Sequence, residues 1–481
     1  MGLKRYPIFL SVITLCILFL GIAPQGTVRA QENEPEGPIY IVQEGDSLWS
    51  IAVRFQVSVD ELSQINNISD PGQLVVGARL VIPGLRNIQG ILTTRTVGYG
   101  ETLRSLSRRY QTSIDSIITL NHLASPTELY AGATLVIPEP EETTGATKRA
   151  LLLPNQSVME LAIINNINPW SIVLSNQLPN TNQVSSGEIL HIRTNEALEE
   201  RPDAPSALPE TIKELTLKPA MFYQGKVSAI HVESQSELEL SGSLTDHPLN
   251  FLTNEEGNYF SLQGIHALQD PGLYTMLLTG SIKQQAPYDD TNFSFSQSVL
   301  IRRGDYPFDP VLIVSPETID PAVTKPEDAE WNALAAPVTP ERLWQGQFQS
   351  PAPPPFSDCW PSTFGNRRSY NGSAYVYFHT GLDFCGGVGT EILAPATGIV
   401  VFAGPLTVRG NATMIDHGWG IYSGYMHQSE IFVKVGDRVQ PGQVIGLVGG
   451  TGRVTGPHLH WEIWAGGVQV DPMDWLEQVF P

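Results

Sequence analysis

Apolar positions in the first third of the chain fall into a block that repeats. A short β-type run, Tyr40, Ile41 and Val42, meets a turn at Glu44-Gly45-Asp46, after which Leu48, Ile51, Ala52 and Phe55 recur at helical spacing. Ser47 or Asp46 caps this helix; a second helix over about residues 58–65 and a closing strand over 79–82 complete a βααβ unit. Residues 40–83 lay over 95–138 with a constant offset of 55 and no gap. Gly45, Leu48, Ile51 and Phe55 face Gly100, Leu103, Leu106 and Tyr110, while Asn66, Gly77, Leu80 and Pro83 face Asn121, Gly132, Leu135 and Pro138. A third copy follows at twice the offset, with Ser157, Val158, Leu161, Ala162, Asn176, Gly187 and Leu190 in the matching places. It is degenerate, because Asn155 replaces the opening glycine and Arg193 the closing proline.

After residue 208 the period changes to two. Alternating runs at 236–244, 259–265, 274–282 and 294–301, separated by turn signals such as Asp270-Pro271-Gly272, predict a β-sandwich-like domain over 208–304. Residues 305–356 are rich in proline, with a short helical candidate around 326–334. They read as a semi-rigid linker that can also pack on the next domain. The rest, 357–481, is a run of glycine-punctuated strands.

Composition adds compartment and partner class. Of 481 residues 41% are hydrophobic and 16% charged, enough for several cores. The formal charge of −21 is spread along the chain without a basic, aromatic-studded cluster, which argues against nucleic acid. Lys4 and Arg5, an apolar run over 8–22 and Val28-Arg29-Ala30 read as a secretory signal over 1–30, cleaved near Ala30; the alternative is an uncleaved anchor. Cys16 follows the bulky Leu15 inside the apolar run and does not suggest a lipid anchor. The expected protein is secreted or associated with the cell envelope, with no membrane segment in its mature form. Cys359 and Cys385 would then be its cysteines, and an even pair in an exported chain favours a disulfide.

The first two blocks, through Val42-Gln43-Glu44-Gly45-Asp46-Ser47-Leu48-Trp49 and Leu80-Val81-Ile82-Pro83, resemble the LysM family. The resemblance spans 38–84 and 93–139, extends in degenerate form to 148–194, and implies binding of N-acetylglucosamine-containing glycans such as peptidoglycan. Linked modules raise avidity through effective concentration. The alternative is that a copy, the third above all, is a spacer.

Five of ten histidines lie after residue 375. A catalytic zinc takes about three nitrogen or oxygen ligands and leaves one position open. His458 and His460 are two apart, so on a strand both imidazoles reach one cleft. His379 and Asp383 are four apart, but Gly381 and Cys385-Gly386-Gly387 argue for an extended segment rather than a helix. His427 would reach the cleft through a turn in the 429–435 region.

The stretches His379-Thr380-Gly381-Leu382-Asp383, Tyr425-Met426-His427, Val435-Gly436-Asp437-Arg438-Val439 and Gly456-Pro457-His458-Leu459-His460 resemble the M23 metallopeptidases, the family of lysostaphin. That resemblance implies an antiparallel β domain and a Zn2+ ion held by His379, Asp383 and His460. It makes His427 and His458 the unliganded histidines of catalysis. Asp416-His417-Gly418 reads as a turn outside the metal site, and Glu462 as either a partner of His460 or a solvated strand-edge residue. Ser423-Gly424 departs from the Thr-Leu pair common before the matching tyrosine.

The expected fold is therefore multidomain: βααβ LysM modules, a β-sandwich-like middle domain and a mainly antiparallel M23 peptidase domain. The expected function is a secreted zinc metalloendopeptidase cutting peptide bonds in peptidoglycan, targeted by its LysM repeats. A noncatalytic wall-binding adaptor that activates other hydrolases is the alternative.

Overall fold

The computed structural model describes residues 37–481 apart from 71, 73, 86, 126, 127, 142–145, 195–203 and 284–289; the expected signal, 1–30, lies outside the described residues. Among them the chain forms two compact bodies, one from 37–38 with 42–87 and the other from 39–41 with 88–481.

The first body holds helices α1 (Leu48–Phe55) and α2 (Val59–Ile65) and the closing strand Arg79–Val81. Ser47, not Asp46, caps α1, because its hydroxyl accepts the Ser50 amide at 3.0 Å. Leu48, Ile51, Ala52, Phe55 and Leu62 bury the facing sides. Asn66 ties α2 to the closing strand: its Nδ2 donates to the carbonyls of Leu62 and Val81, and its Oδ1 accepts the Val81 amide.

The second body repeats this unit twice. Helices α3 (Leu103–Tyr110) and α4 (Ile114–Asn121) precede strand Thr134–Glu139, and α5 (Val158–Ile164) and α6 (Pro169–Ser175) lie between strands Ala146–Leu151 and Ile189–Thr194. Asn121 clamps Val136, and Asn176 clamps His191, as Asn66 clamps Val81. This is the physical reason for the repeating asparagine. The degenerate third opening keeps its geometry too. Asn155 takes φ +61° where Gly100 takes +84°, and asparagine is the side chain that best tolerates that region.

The described residues between Ile212 and Arg302 form the sandwich. Sheets of five and four strands, with Leu238–Leu244, Gly272–Ile282 and Thr291–Arg302 in one and Val227–Ser234 and Tyr259–Gly264 in the other, close on Phe222, Val232, Leu244, Met276 and Phe295. Its outer residues Val227, Ala229 and Leu262 join the core of the C-terminal domain with Trp461, Tyr425 and Phe384. Lys226 locks the joint, with Nζ 2.8 Å from both Asp471 and Asp474.

The C-terminal domain is a mainly antiparallel nine-stranded sheet around Ile421–Ile431 and Leu459–Ala465. The Cys359–Cys385 disulfide is present, with Cα atoms 5.4 Å apart. The proline-rich segment is ordered against this domain. Its helix α7 spans Pro321–Leu334, starting earlier than its apolar pattern suggests because Asp320 caps it, accepting the Ala322 amide at 2.9 Å. Glu327 anchors α7 by accepting the Val408 and Arg409 amides at 2.8 and 3.0 Å. Among the described residues no helix is long and apolar enough to cross a membrane.

Candidate metal centre

Two strands in a defined register build the centre. Leu382–Phe384 runs antiparallel to Leu459–Ala465 with Asp383 opposite His460. Directly opposed residues project to one face, so Asp383 Oδ1 lies 2.8 Å from His460 Nδ1. His379 follows the short strand Tyr377–Phe378, and its Nε2 is 2.9 Å from each of those atoms. Gly381 lets the loop close, since a Cβ there would meet the Trp461 carbonyl oxygen at 2.3 Å and His460 Nε2 at 2.8 Å.

Hydrogen bonds on the far side of each ring decide what faces inward. His379 Nδ1–H donates to the Thr363 carbonyl at 2.8 Å, leaving Nε2 bare. His460 Nε2 faces Glu462 Oε1 at 3.3 Å, and donation there leaves Nδ1 bare. Two imidazole lone pairs and a carboxylate oxygen thus point at one another, all within 4.8 Å and all buried. Three acceptors so placed repel unless a cation lies among them, and the nitrogen, nitrogen, oxygen set with one side open fits a small divalent metal. Asp383 turns its other oxygen to Arg368 Nη2 at 3.5 Å.

His427 and His458 stand beside this triangle. His427 Nδ1–H donates to the Thr451 carbonyl and His458 Nδ1–H to the Gly456 carbonyl, both at 2.8 Å, so each presents a bare Nε2. The two rings are 5.0 Å apart, and His458 Nε2 is 3.6 Å from Asp383 Oδ1. Asp383, His427, His458 and His460 line a cleft of about 740 Å³, walled on other sides by His266, Leu312 and Asn332, while His379 is fully buried.

Charge follows burial and partners. Burial holds His379 down to about 4 against the opposing pull of Asp383. Burial also lowers His460, but Asp383 and Glu462 together outweigh it and leave that imidazole raised. The two rings part ways because His460 has a second carboxylate while His379 senses the Arg368 guanidinium. Burial pushes Asp383 up, yet His379 and His460 hold it well below the usual carboxylate range. His427 is held well below its ordinary value by burial, then by His458 and His460.

Two expectations change, and one open alternative is decided. His427 reaches the cleft without a turn at 429–435: it sits inside strand Ile421–Ile431 with φ +63°, where the register with the neighbouring strand slips between Asn411 and Thr413. The extra residue of this bulge re-aims the imidazole. Asp416-His417-Gly418 ends strand Gly410–Gly418, and the turn falls at Trp419-Gly420 instead; His417 is buried between the Thr397 carbonyl and the Ser423 hydroxyl. Of the two readings open for Glu462, the partner of His460 holds: it is 1% exposed, with Oε1 3.3 Å from His460 Nε2. Thr363, Arg368 and Thr380, which hold the far sides of the ligand side chains, carry no motif of their own.

Residues 377–472 match Peptidase family M23, and 40–83 and 96–138 match the LysM domain. The chain is 42% identical over 112 residues to peptidoglycan DD-endopeptidase ShyA of Vibrio cholerae, covering 23% of this chain and 26% of that protein. It is 44% identical over 95 residues to DD-carboxypeptidase/endopeptidase Mpg of Neisseria meningitidis, covering 20% and 22%. The chain thus spans about a quarter of the length of these relatives. A putative M23 peptidase structure from Pseudomonas aeruginosa aligns at 25% identity over 54% of this chain and 96% of its own, with a TM-score of 0.39.

Proposed function

We propose that the chain is a zinc metalloendopeptidase that hydrolyses peptide bonds in peptidoglycan, with His379, Asp383 and His460 as metal ligands. The observation that carries this reading is the convergence of three buried bare donor atoms within 4.8 Å. The likeness of the chain to proteins named peptidoglycan DD-endopeptidases supports the substrate class, and the match to the LysM domain supports retention on wall glycan through N-acetylglucosamine. The disulfide accords with export by the sequence over 1–30.

A bound zinc ion supplies a Lewis acid that polarises a carbonyl and makes water easier to deprotonate. His379 and His460 would hold it as neutral rings, in the tautomers that Thr363 and Glu462 set. Of the two bare Nε2 atoms, one would accept a proton from the attacking water and return that proton to the leaving amine, and the other, carrying a proton taken up from solvent, would donate to the oxyanion. The carbonyls of Thr451 and Gly456 keep both rings turned to the cleft.

Release of peptides from purified walls by the full chain, with and without a chelator, tests the proposal. Asp383→Ala should abolish chelator-sensitive release, and unchanged release would overturn it.

A further inference from the structure

Trp331 comes from the proline-rich segment, yet it is fully buried in the C-terminal domain. Its indole Nε1–H donates to Glu462 Oε2 at 3.0 Å, and Trp464 Nε1–H donates to the same oxygen at 3.0 Å. Gln469 Nε2–H and the Thr380 hydroxyl donate to Oε1 at 3.0 and 2.5 Å, and His460 Nε2 faces it at 3.3 Å. Five donors surround one carboxylate. It can only accept, and it cannot turn without breaking both indole bonds.

The position of the indole is itself over-determined. Gly424, opposite Glu462 across the sheet, makes room for it: a Cβ at 424 would lie 2.9 Å from Trp331 Cζ2. The Arg409 guanidinium lies 5.2 Å from the ring centre, and Phe402 meets it edge-on at 5.7 Å. Glu327, one turn earlier on α7, binds the backbone beside that same arginine.

We infer that Trp331 and Glu462 are positioning residues of the metal centre, the indole holding the carboxylate and the carboxylate holding His460 with Nδ1 bare toward the metal. The segment before the peptidase domain thereby becomes part of its metal site. This rests on His460 being a ligand, as proposed above.

The test is the zinc dissociation constant of the metal-stripped full chain, measured by chelator competition below the melting temperature of each variant. Glu462→Ala should weaken zinc roughly 10–100-fold, the usual range for such outer partners. Glu462→Gln fills the same space, but either amide orientation turns an N–H toward the indoles or toward His460, so it too should lose about tenfold. Trp331→Phe should weaken zinc in wild type and have no further effect in Glu462→Ala, as a pair acting in series requires. Should Trp331→Phe not fold, Gly424→Ala, which presses on the indole, is read the same way. Wild-type affinity in Glu462→Gln, or a Trp331→Phe effect that simply adds to Glu462→Ala, would overturn the inference. A wild-type chain without zinc binding that depends on His460 would instead overturn the ligand assignment itself.

Discussion

Asp383 and His460 are register partners on neighbouring antiparallel strands, and that pairing alone sets a carboxylate oxygen 2.8 Å from an imidazole nitrogen. With His379 Nε2 equally close to both, the site is a triangle of acceptors. Zinc at about 100 times its dissociation constant should therefore stabilise the metal-stripped protein by about 2.7 kcal/mol. Thermal melts with and without zinc read this directly, and Asp383→Ala should show no zinc-dependent rise.

His427 and His458 offer bare Nε2 atoms but are not among the three converging donors. Replacing either by alanine should cut kcat by about 10²–10⁴ while leaving zinc stoichiometry unchanged. Turnover of defined wall fragments beside a metal assay separates the two effects; loss of zinc with the imidazole would make it a ligand.

The disulfide staples the segment that carries Ser362 to the strand that carries Asp383. The Asp383 amide donates to the Ser362 carbonyl and the Cys385 amide to the Cys359 carbonyl, both at 2.9 Å. Cys359→Ser with Cys385→Ser should cost about 3 kcal/mol of stability. Denaturant midpoints check it, and a variant as stable as the parent would refute the role.

Acid should destabilise the fold through His191 and His417, whose imidazoles burial holds down to about 4 from 6.5. As pH falls from 6.5 to 4 the unfolded chain takes up these protons and the folded one does not, so stability falls; above 6.5 neither group contributes. Each should cost on the order of 3 kcal/mol by the bottom of that window. Denaturation midpoints across the window should decline less steeply in His417→Gln, and an identical slope would exclude His417 as a source.

The helices of the repeats were legible because their signals are local. Apolar residues three and four apart and a serine, threonine or asparagine cap act within a few residues, and the asparagine clamp recurs at one spacing in all three copies. The imidazoles of His458 and His460 share a face for the same reason, the two-residue period of a strand. The bulge at His427 was not legible, because the slip belongs to a pair of strands and not to one. Gly424, a departure from the related pattern, makes sense only with the indole beside it.

By itself the sequence determined which elements form, where they repeat and which side chains can bind a metal, since these follow from periodicity and donor chemistry along a few residues. The tertiary structure decided which nitrogen of each ring faces inward and which residue holds it there. Trp331 and Glu462 are 131 positions apart. A hydrogen bond between such distant groups depends on the packing of whole elements, which no local pattern encodes.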